Sequence, residues 1–238
     1  ETPAPAGRPL PVLYEDDAIV VIDKPSGKAV HGGSGVSYGV IEQLRAQRPQ
    51  QRMLELAHRL DRETSGLLLV AKKRSALTAL HDMLREGRVG KRYLALVSGR
   101  WPNALQHIRA PLLKYLTADG ERRVRVADEG KPAHSVVRLL RRWREFSLLE
   151  VDLRTGRTHQ IRVHLTHLGF PLCGDDKYGD FALNKALEAR GLKRMFLHAA
   201  QLTLAHPLSG EALAFDAALP PELQAFVDQL DAEENGNG

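Results

Sequence analysis

The stretch HRLDRETSGLLLVAKK, residues 58–73, joins a dense polar run to an apolar one. Its second half, LLLVAKK, has the length and composition of a buried β-strand. Its first half packs His58, Arg59, Asp61, Arg62, Glu63, Thr64 and Ser65 into a loop at the mouth of that strand. Upstream, AIVVID (18–23) is a second β-branched run, bounded by Asp17 and the turn-forming KPSG. Between the two strands, SYGVIEQLRAQ (37–47) carries Val40, Ile41 and Leu44 at helical spacing, and Pro49 stops it. Downstream, SALTALHDMLRE (75–86) places Leu77, Leu80 and Leu84 on one helical face, with Ser75 as N-cap and Gly87 at the end.

The pattern then changes. KRYLALVSGR (91–100), RRVRVAD (122–128), HSVVRLLRRWR (134–144) and FSLLEVDLRTG (146–156) read as strands in series. Alternating Val, Leu and Arg give them one wet, basic face. THQIRVHLTHLG (158–169) and FALNKALEARG (181–191) return to helical spacing. MFLHAAQLTLAH (195–206) and EALAFDA (211–217) form a strand pair, PPELQAFVDQL (220–230) a last helix, and DAEENGNG (231–238) a disordered tail. Strands in series with irregularly placed helices favour an α+β fold over a doubly wound parallel sheet.

Composition narrows the function. No run of apolar residues reaches membrane-spanning length, and ETPAPAGRPLP at the start has neither the apolar core nor the cleavage pattern of a signal peptide. We read residues 1–11 as a linker remnant, 12–230 as one domain and 231–238 as a tail. The single cysteine, Cys173, cannot form an internal disulfide, which suits a reducing cytoplasm. Residues 220–238 hold five acids and no base. The first 219 residues therefore carry all 34 bases but only 24 of the 29 acids, a net charge of +10. Such a body suits a polyanionic partner, with ordinary solubility charge as the bland alternative.

Several chemical motifs fail on inspection. HGGSG (31–35) resembles an esterase oxyanion loop, but no G-x-S-x-G follows anywhere. It misses the dinucleotide spacing by one residue, and there is no phosphate-binding G-x-x-x-x-G-K-[ST]. His159, His164 and His167 spread around a helix axis without the paired spacing of a zinc site. In GDDKYGD (174–180), Asp175, Asp176 and Asp180 fit a turn better than a cation site. Asp61 remains, one carboxylate among His58, Arg59 and Arg62. Neighbouring cations keep a carboxylate ionised, as a nucleophile or base requires, yet Arg–Asp neighbours are commonly plain surface pairs.

Taken together, four further segments lift Asp61 out of that ambiguity. HRLDRETSG resembles the central H-R-L-D-x-x-T-S-G motif of the RluA-type pseudouridine synthases. VVIDKPSGKAVH (20–31), KRYLALVSG (91–99), TGRTHQIRVHLTHLGFPLCGDDKYG (155–179) and RMFLHAAQL (194–202) are similar to that family's other motifs, in order. HGGSG, GDDKYGD and the basic residues before FLHA look most like the RluC branch. The resemblance implies a pseudouridine synthase fold, with a mixed, mainly antiparallel sheet, flanking helices and a central active-site cleft. It also implies isomerisation of uridine to pseudouridine in RNA, most readily 23S ribosomal RNA, without cofactor or metal. By position, Asp61 is the essential carboxylate acting at C1′. Arg162 pairs with it, and Tyr93 stacks on the target base and takes part in loss of the C5 proton. Arg59 enters the RNA helix where the nucleotide has flipped out, and Leu197 lines the uracil pocket. We expect a cytoplasmic protein and, since nothing in the sequence demands a dimer, a monomer, working on ribosomal RNA or an assembly intermediate; the resemblance further implies an N-terminal RNA-binding domain missing here. A transfer-RNA or dual-specificity synthase and a non-catalytic RNA-binding module are the alternatives.

Overall fold

A computed structural model describes residues 9–33 and 38–236, folded as two compact units. The first comprises the chain up to Val89 together with Ala199–Ala217. The second comprises Gly90–His198 and Ala218–Gly238.

The first unit contains β1 (Val12–Glu15), β2 (Ile19–Lys24), α1 (Val40–Gln47), β3 (Glu55–Leu56), β4 (Ser65–Ala71) and α2 (Arg74–Arg85). β2 pairs antiparallel with β1 on one side and β4 on the other, in a register that sets Ile19 against Ala71 and Lys24 against Gly66. Every residue of β4 is buried, as its unbroken apolar sequence requires. Helix α2 turns Ala76, Leu77, Leu80 and Met83 into a core with Ile19, Val21, Leu67, Leu69, Leu202 and Leu204. Burying such a stripe is the chief stabilising term, at about 1.5–3 kcal/mol per large side chain. The N-cap of α2 is Lys73, in extended conformation and without a side-chain cap, rather than Ser75. Arg74 already has helical geometry, which puts Ser75 inside the first turn. Gly87, at φ +71°, ends the helix as expected. Ahead of α1, the Glu42 carboxylate accepts from the amides of Gly32 and Gly39, so it ties down both ends of the HGGSG region. Residues 34 and 35 of that motif, and the linker residues 1–8, lie outside the described chain. Leu10 is buried and Pro11 accepts from the Asp23 amide, so ordered structure starts ahead of residue 12.

The second unit contains β5 (Gly90–Ser98), β6 (Leu105–Arg109), β7 (Leu112–Leu116), β8 (Arg122–Val126), β9 (His134–Arg142), β10 (Phe146–Leu153), α3 (Gln160–His167) and α4 (Phe181–Ala189). Strand β11 (Leu197–Ala205) begins here and continues in the first unit, where it pairs antiparallel with β12 (Ala212–Asp216). The order β5–β10–β9–β6 is antiparallel throughout, with Val151 between Tyr93 and Val137. β7 and β8 form a separate hairpin turned at Gly120, φ +81°. The protein is thus α+β with a mostly antiparallel sheet.

Helix α5 (Pro221–Gly236) overturns one expectation, because residues 231–236 are helical and not a disordered tail. Leu223, Phe226, Val227 and Leu230 pack with Trp143, Phe146 and Phe196. Acid side chains then fasten the last turns. Asp231 accepts from the Trp143 indole at 2.8 Å and pairs with Arg141, and Glu233 pairs with Arg190. Two acids of that tail thus have basic partners, Asp231 on β9 and Glu233 at the end of α4.

Candidate active site

Two separate pieces of scaffold present the residues singled out by sequence. Asp61 and Arg59 belong to the first unit, and Tyr93, Arg162 and Leu197 to the second.

The Asp61 loop runs from the end of β3 to the start of β4. Arg59 is exposed and Asp61 half-buried, while Leu60, Thr64 and Ser65 are buried on either side. The amide of Thr64 donates to the Asp61 carbonyl at 3.0 Å, which closes a tight turn directly behind the carboxylate. From β2, the fully buried Lys24 ammonium donates to the carbonyls of Pro25, Lys28 and Arg62 at 2.7–2.9 Å. Ser26 donates to the Glu63 carbonyl, and the Gly27 amide to that of Arg62. The VVIDKPSG segment therefore grips the main chain of residues 62 and 63, one step beyond Asp61. His58 Nε2 accepts from the Leu69 amide at 3.0 Å, so this ring is a prop for the loop and its Nδ1 carries the proton. Gly66 adopts φ +114°, and a Cβ there would meet the Ala199 carbonyl oxygen at 2.2 Å. Only glycine fits where the loop enters the strand.

In the second unit, Tyr93 is buried on β5, opposite Val151. Arg162 is buried on α3, where Nε and one terminal nitrogen fork onto the two oxygens of Asp175 at 2.9 and 2.7 Å. Its guanidinium also lies 5.2 Å from the Tyr178 ring centre. Asp175 is fully buried and accepts from the amides of Lys177 and Tyr178 as well. Burial pushes its carboxyl up, but the Arg162 bonds and charge and those two amides outweigh it and hold the group below the ordinary aspartate value. Arg162 is thereby fixed in a single orientation with a charge-assisted bidentate pair.

The rest of the TGRTHQIRVH run frames that arginine. Gln160 accepts from Thr155 and from the Arg157 amide, and donates to the His134 carbonyl and to Ser135 Oγ. Ser135 passes the chain on to His164 Nδ1, and His164 Nε2 donates to the Ala110 carbonyl. Burial holds His164 below the ordinary imidazole value, in keeping with a neutral ring locked in one tautomer. His159, at the left-handed φ of 55°, opens α3 and bonds the Tyr178 hydroxyl through Nδ1 at 2.7 Å. Leu197 is buried at the start of β11, and its carbonyl accepts from Arg194.

The acidic GDDKYGD segment divides its work. Asp175 holds Arg162, Asp180 caps α4 by accepting from the Leu183 amide, and Asp176 is exposed. Among the described residues no group of three or more His, Cys, Asp or Glu is placed to hold a metal ion. No described helix is long and apolar enough to cross a membrane. Sequence reasoning missed Lys24 and Asp175 as supports. Signals existed for both: a lysine closing the strand that the apolar AIVVI run begins, and an acid in the same motif as Arg162.

The family model for RNA pseudouridylate synthases matches residues 18–167, and the chain belongs to that family. Among its relatives, Ribosomal large subunit pseudouridine synthase C of Escherichia coli K12 is 52% identical over 221 residues, covering 92% of this chain and 69% of the relative. The synthase of the same name from Pasteurella multocida is 50% identical over 226 residues, covering 95% of this chain and 69% of the relative. Among solved structures, Human RNA Pseudouridylate Synthase Domain Containing 4 superposes with a TM-score of 0.76 at 25% identity over 93% of each chain.

Proposed function

We propose that this protein converts specific uridines of large-subunit (23S) ribosomal RNA into pseudouridine, with Asp61 as the essential carboxylate. The identity of at least 50% over more than nine-tenths of the chain to synthases named for the large ribosomal subunit carries this reading. In the reaction the N1–C1′ bond breaks, the freed uracil turns, and a C5–C1′ bond forms as C5 loses its proton and N1 gains one. No atoms or electrons are gained or lost, so the reaction balances without a second substrate.

A carboxylate at C1′ must stay ionised and hold its direction while the sugar's bond to the base changes. The turn behind Asp61 and the Lys24 grip supply a fixed mount for it. Tyr93 is the proposed platform for the base and a participant in C5 deprotonation. Its ring offers a flat apolar face, and its hydroxyl is suited to proton transfer. Arg162 is assigned to the charge balance of Asp61, and its rigid bidentate mount on Asp175 suits that task. Leu197 would supply an apolar wall. Arg59, exposed beside Asp61, is suited to fill the stack that a flipped nucleotide leaves, offsetting part of an unstacking cost of a few kcal/mol. We further place the enzyme in the cytoplasm as a monomer, with a separate RNA-binding domain adding affinity.

The test is pseudouridine mapping by carbodiimide labelling and primer extension on ribosomal RNA lacking the modification. Wild-type protein should create new stops in large-subunit RNA, and Asp61→Asn should reduce their formation at least ~1000-fold with folding intact. Equal activity in Asp61→Asn, or stops confined to transfer RNA, overturns the reading.

A further inference from the structure

Lys91 is a lysine with no counterpart in the catalytic reading. It sits two residues before Tyr93 on β5, so the alternation of a strand turns both side chains to the same face. It is half-buried, and its ammonium lies against the backbone of the loop between β10 and α3. A Cβ placed on Gly156 would stand 3.0 Å from Nζ. That loop opens the TGRTHQIR run which carries Arg162.

What sets Lys91 apart is that it is withdrawn from water without a partner, whereas every other described lysine that is not exposed has one. Lys24 donates to three carbonyls, Lys72 pairs with Glu15, and Lys177 pairs with Glu121. Among the described residues, the Lys91 ammonium has no hydrogen-bond or ion-pair partner. The carboxylates of β10 lie on the other face of the sheet with Arg92, where Glu150 is close to Arg92 and Arg138 and Asp152 to Arg154. Withdrawal from water pushes its pKa below the ordinary lysine value. A partly desolvated cation without a partner is an unfavourable arrangement, which an anionic ligand would relieve.

We infer that Lys91 is a phosphate-binding residue of the RNA substrate, taking a backbone phosphate next to the nucleotide that Tyr93 receives. The inference rests on the reading of Tyr93 as the platform for the target base. A strand-borne ammonium two positions along the same face lies about 7 Å from Tyr93 along the strand, comparable to the span between a base and its neighbouring phosphates. Gly156 leaves the approach open, because any side chain there would press on the ammonium. Lysine suits the task as a compact point charge that tolerates different phosphate orientations.

The decisive measurement is the salt dependence of RNA binding. A substrate RNA is titrated into Asp61→Asn protein, with and without Lys91→Met, between about 50 and 300 mM salt. Loss of one phosphate contact should weaken binding several-fold at low salt and flatten the slope of log K against log salt by about 0.7, with Lys91→Arg restoring it. Replacing the flanking phosphates one at a time by methylphosphonate should find one position that weakens binding to protein carrying Lys91 and not to Lys91→Met. Thermal unfolding controls for folding. Removing a charge without a partner should leave Tm level or raise it, and a fall of more than about 5 °C marks Lys91 as a structural prop and overturns the proposal. An unchanged slope overturns it too, as does a loss confined to kcat at saturating RNA. Tyr93→Leu separates the two readings. If it keeps full turnover, the Tyr93 assignment fails, and if it loses turnover while the Lys91 slope is unchanged, the Lys91 assignment alone fails.

Discussion

The loop that carries Asp61 and the segment that carries Arg162 are immobilised in different ways. In the first, Lys24, Ser26 and Gly27 hold the carbonyl oxygens of Arg62 and Glu63, and the Arg62 side chain donates back to the Gly27 carbonyl. In the second, Arg162, Asp175, Tyr178, His159, Gln160, Ser135 and His164 hold one another through their side chains. Main-chain clamping fixes the course of the loop and leaves Arg59 exposed beside Asp61. Side-chain networking instead fixes a single orientation of one arginine. The roles proposed for Asp61 and Arg162, a reacting carboxylate and a supporting cation, make those different demands.

The contrast can be broken by mutation, and the clamp should suffer most. Lys24→Met removes a buried ammonium and takes a donor from three carbonyls, of which that of Arg62 keeps the Gly27 amide, at a cost of about 3 kcal/mol, or roughly 6–12 °C in Tm for a chain of this size. Differential scanning calorimetry reads it, and a change under 2 °C would show the clamp to be dispensable.

Asp175→Asn should cost about 2 kcal/mol, because it leaves Arg162 buried with a neutral partner. This loss depends on pH. The folded-state pKa of Asp175 lies below its ordinary 3.8, so its contribution is complete above about pH 4 and fades as pH falls through the folded value. Urea unfolding of both proteins should give a constant stability gap from pH 5 to 7 that narrows below pH 4. A gap that stays constant to pH 2.5 would contradict the ionised pair. His164, also depressed in the folded state, adds a shallower loss beginning as pH falls below 6.5 in both proteins. Ser26→Ala should have the smallest effect, about 1 kcal/mol, since it removes one neutral hydrogen bond from the Glu63 carbonyl while Lys24 still holds the neighbouring one. A larger loss in urea unfolding would make Ser26 the principal clamp.

The same contrast explains what could be read in advance. β2 and β4 announce themselves as apolar runs and α2 by the period that burial of one face writes into it, while α3 shows Ile161 and Leu165 at helical spacing although Gln160 to Leu165 are all buried. β1, β6 and β7 did not, since they bury few residues and leave most positions facing water. β3 is too short, at two residues, to show a period. The end of α5 went unread for another reason, namely that its acids gain partners on Arg141, Trp143 and Arg190, which are remote in sequence. In the site, Asp61, Tyr93 and Arg162 were legible only through a shared set of motifs, as each residue type alone has a bland use. Lys24 and Asp175 carried sequence signals too, but what each one supports emerges only in the contacts it makes.

Strand β11 has a consequence for how the protein is made. Gly66 and Ala199, whose backbones must meet without a Cβ between them, are separated by 132 residues. Closing a loop of that size costs about 4 kcal/mol of chain entropy. At ordinary translation speeds the intervening residues take roughly 7–26 s to emerge. Throughout that interval one edge of β4 awaits its neighbour, and the apolar residues of the first unit lack Leu202 and Leu204. The segment that presents Asp61 thus leaves the ribosome well before the strand that completes its supporting sheet.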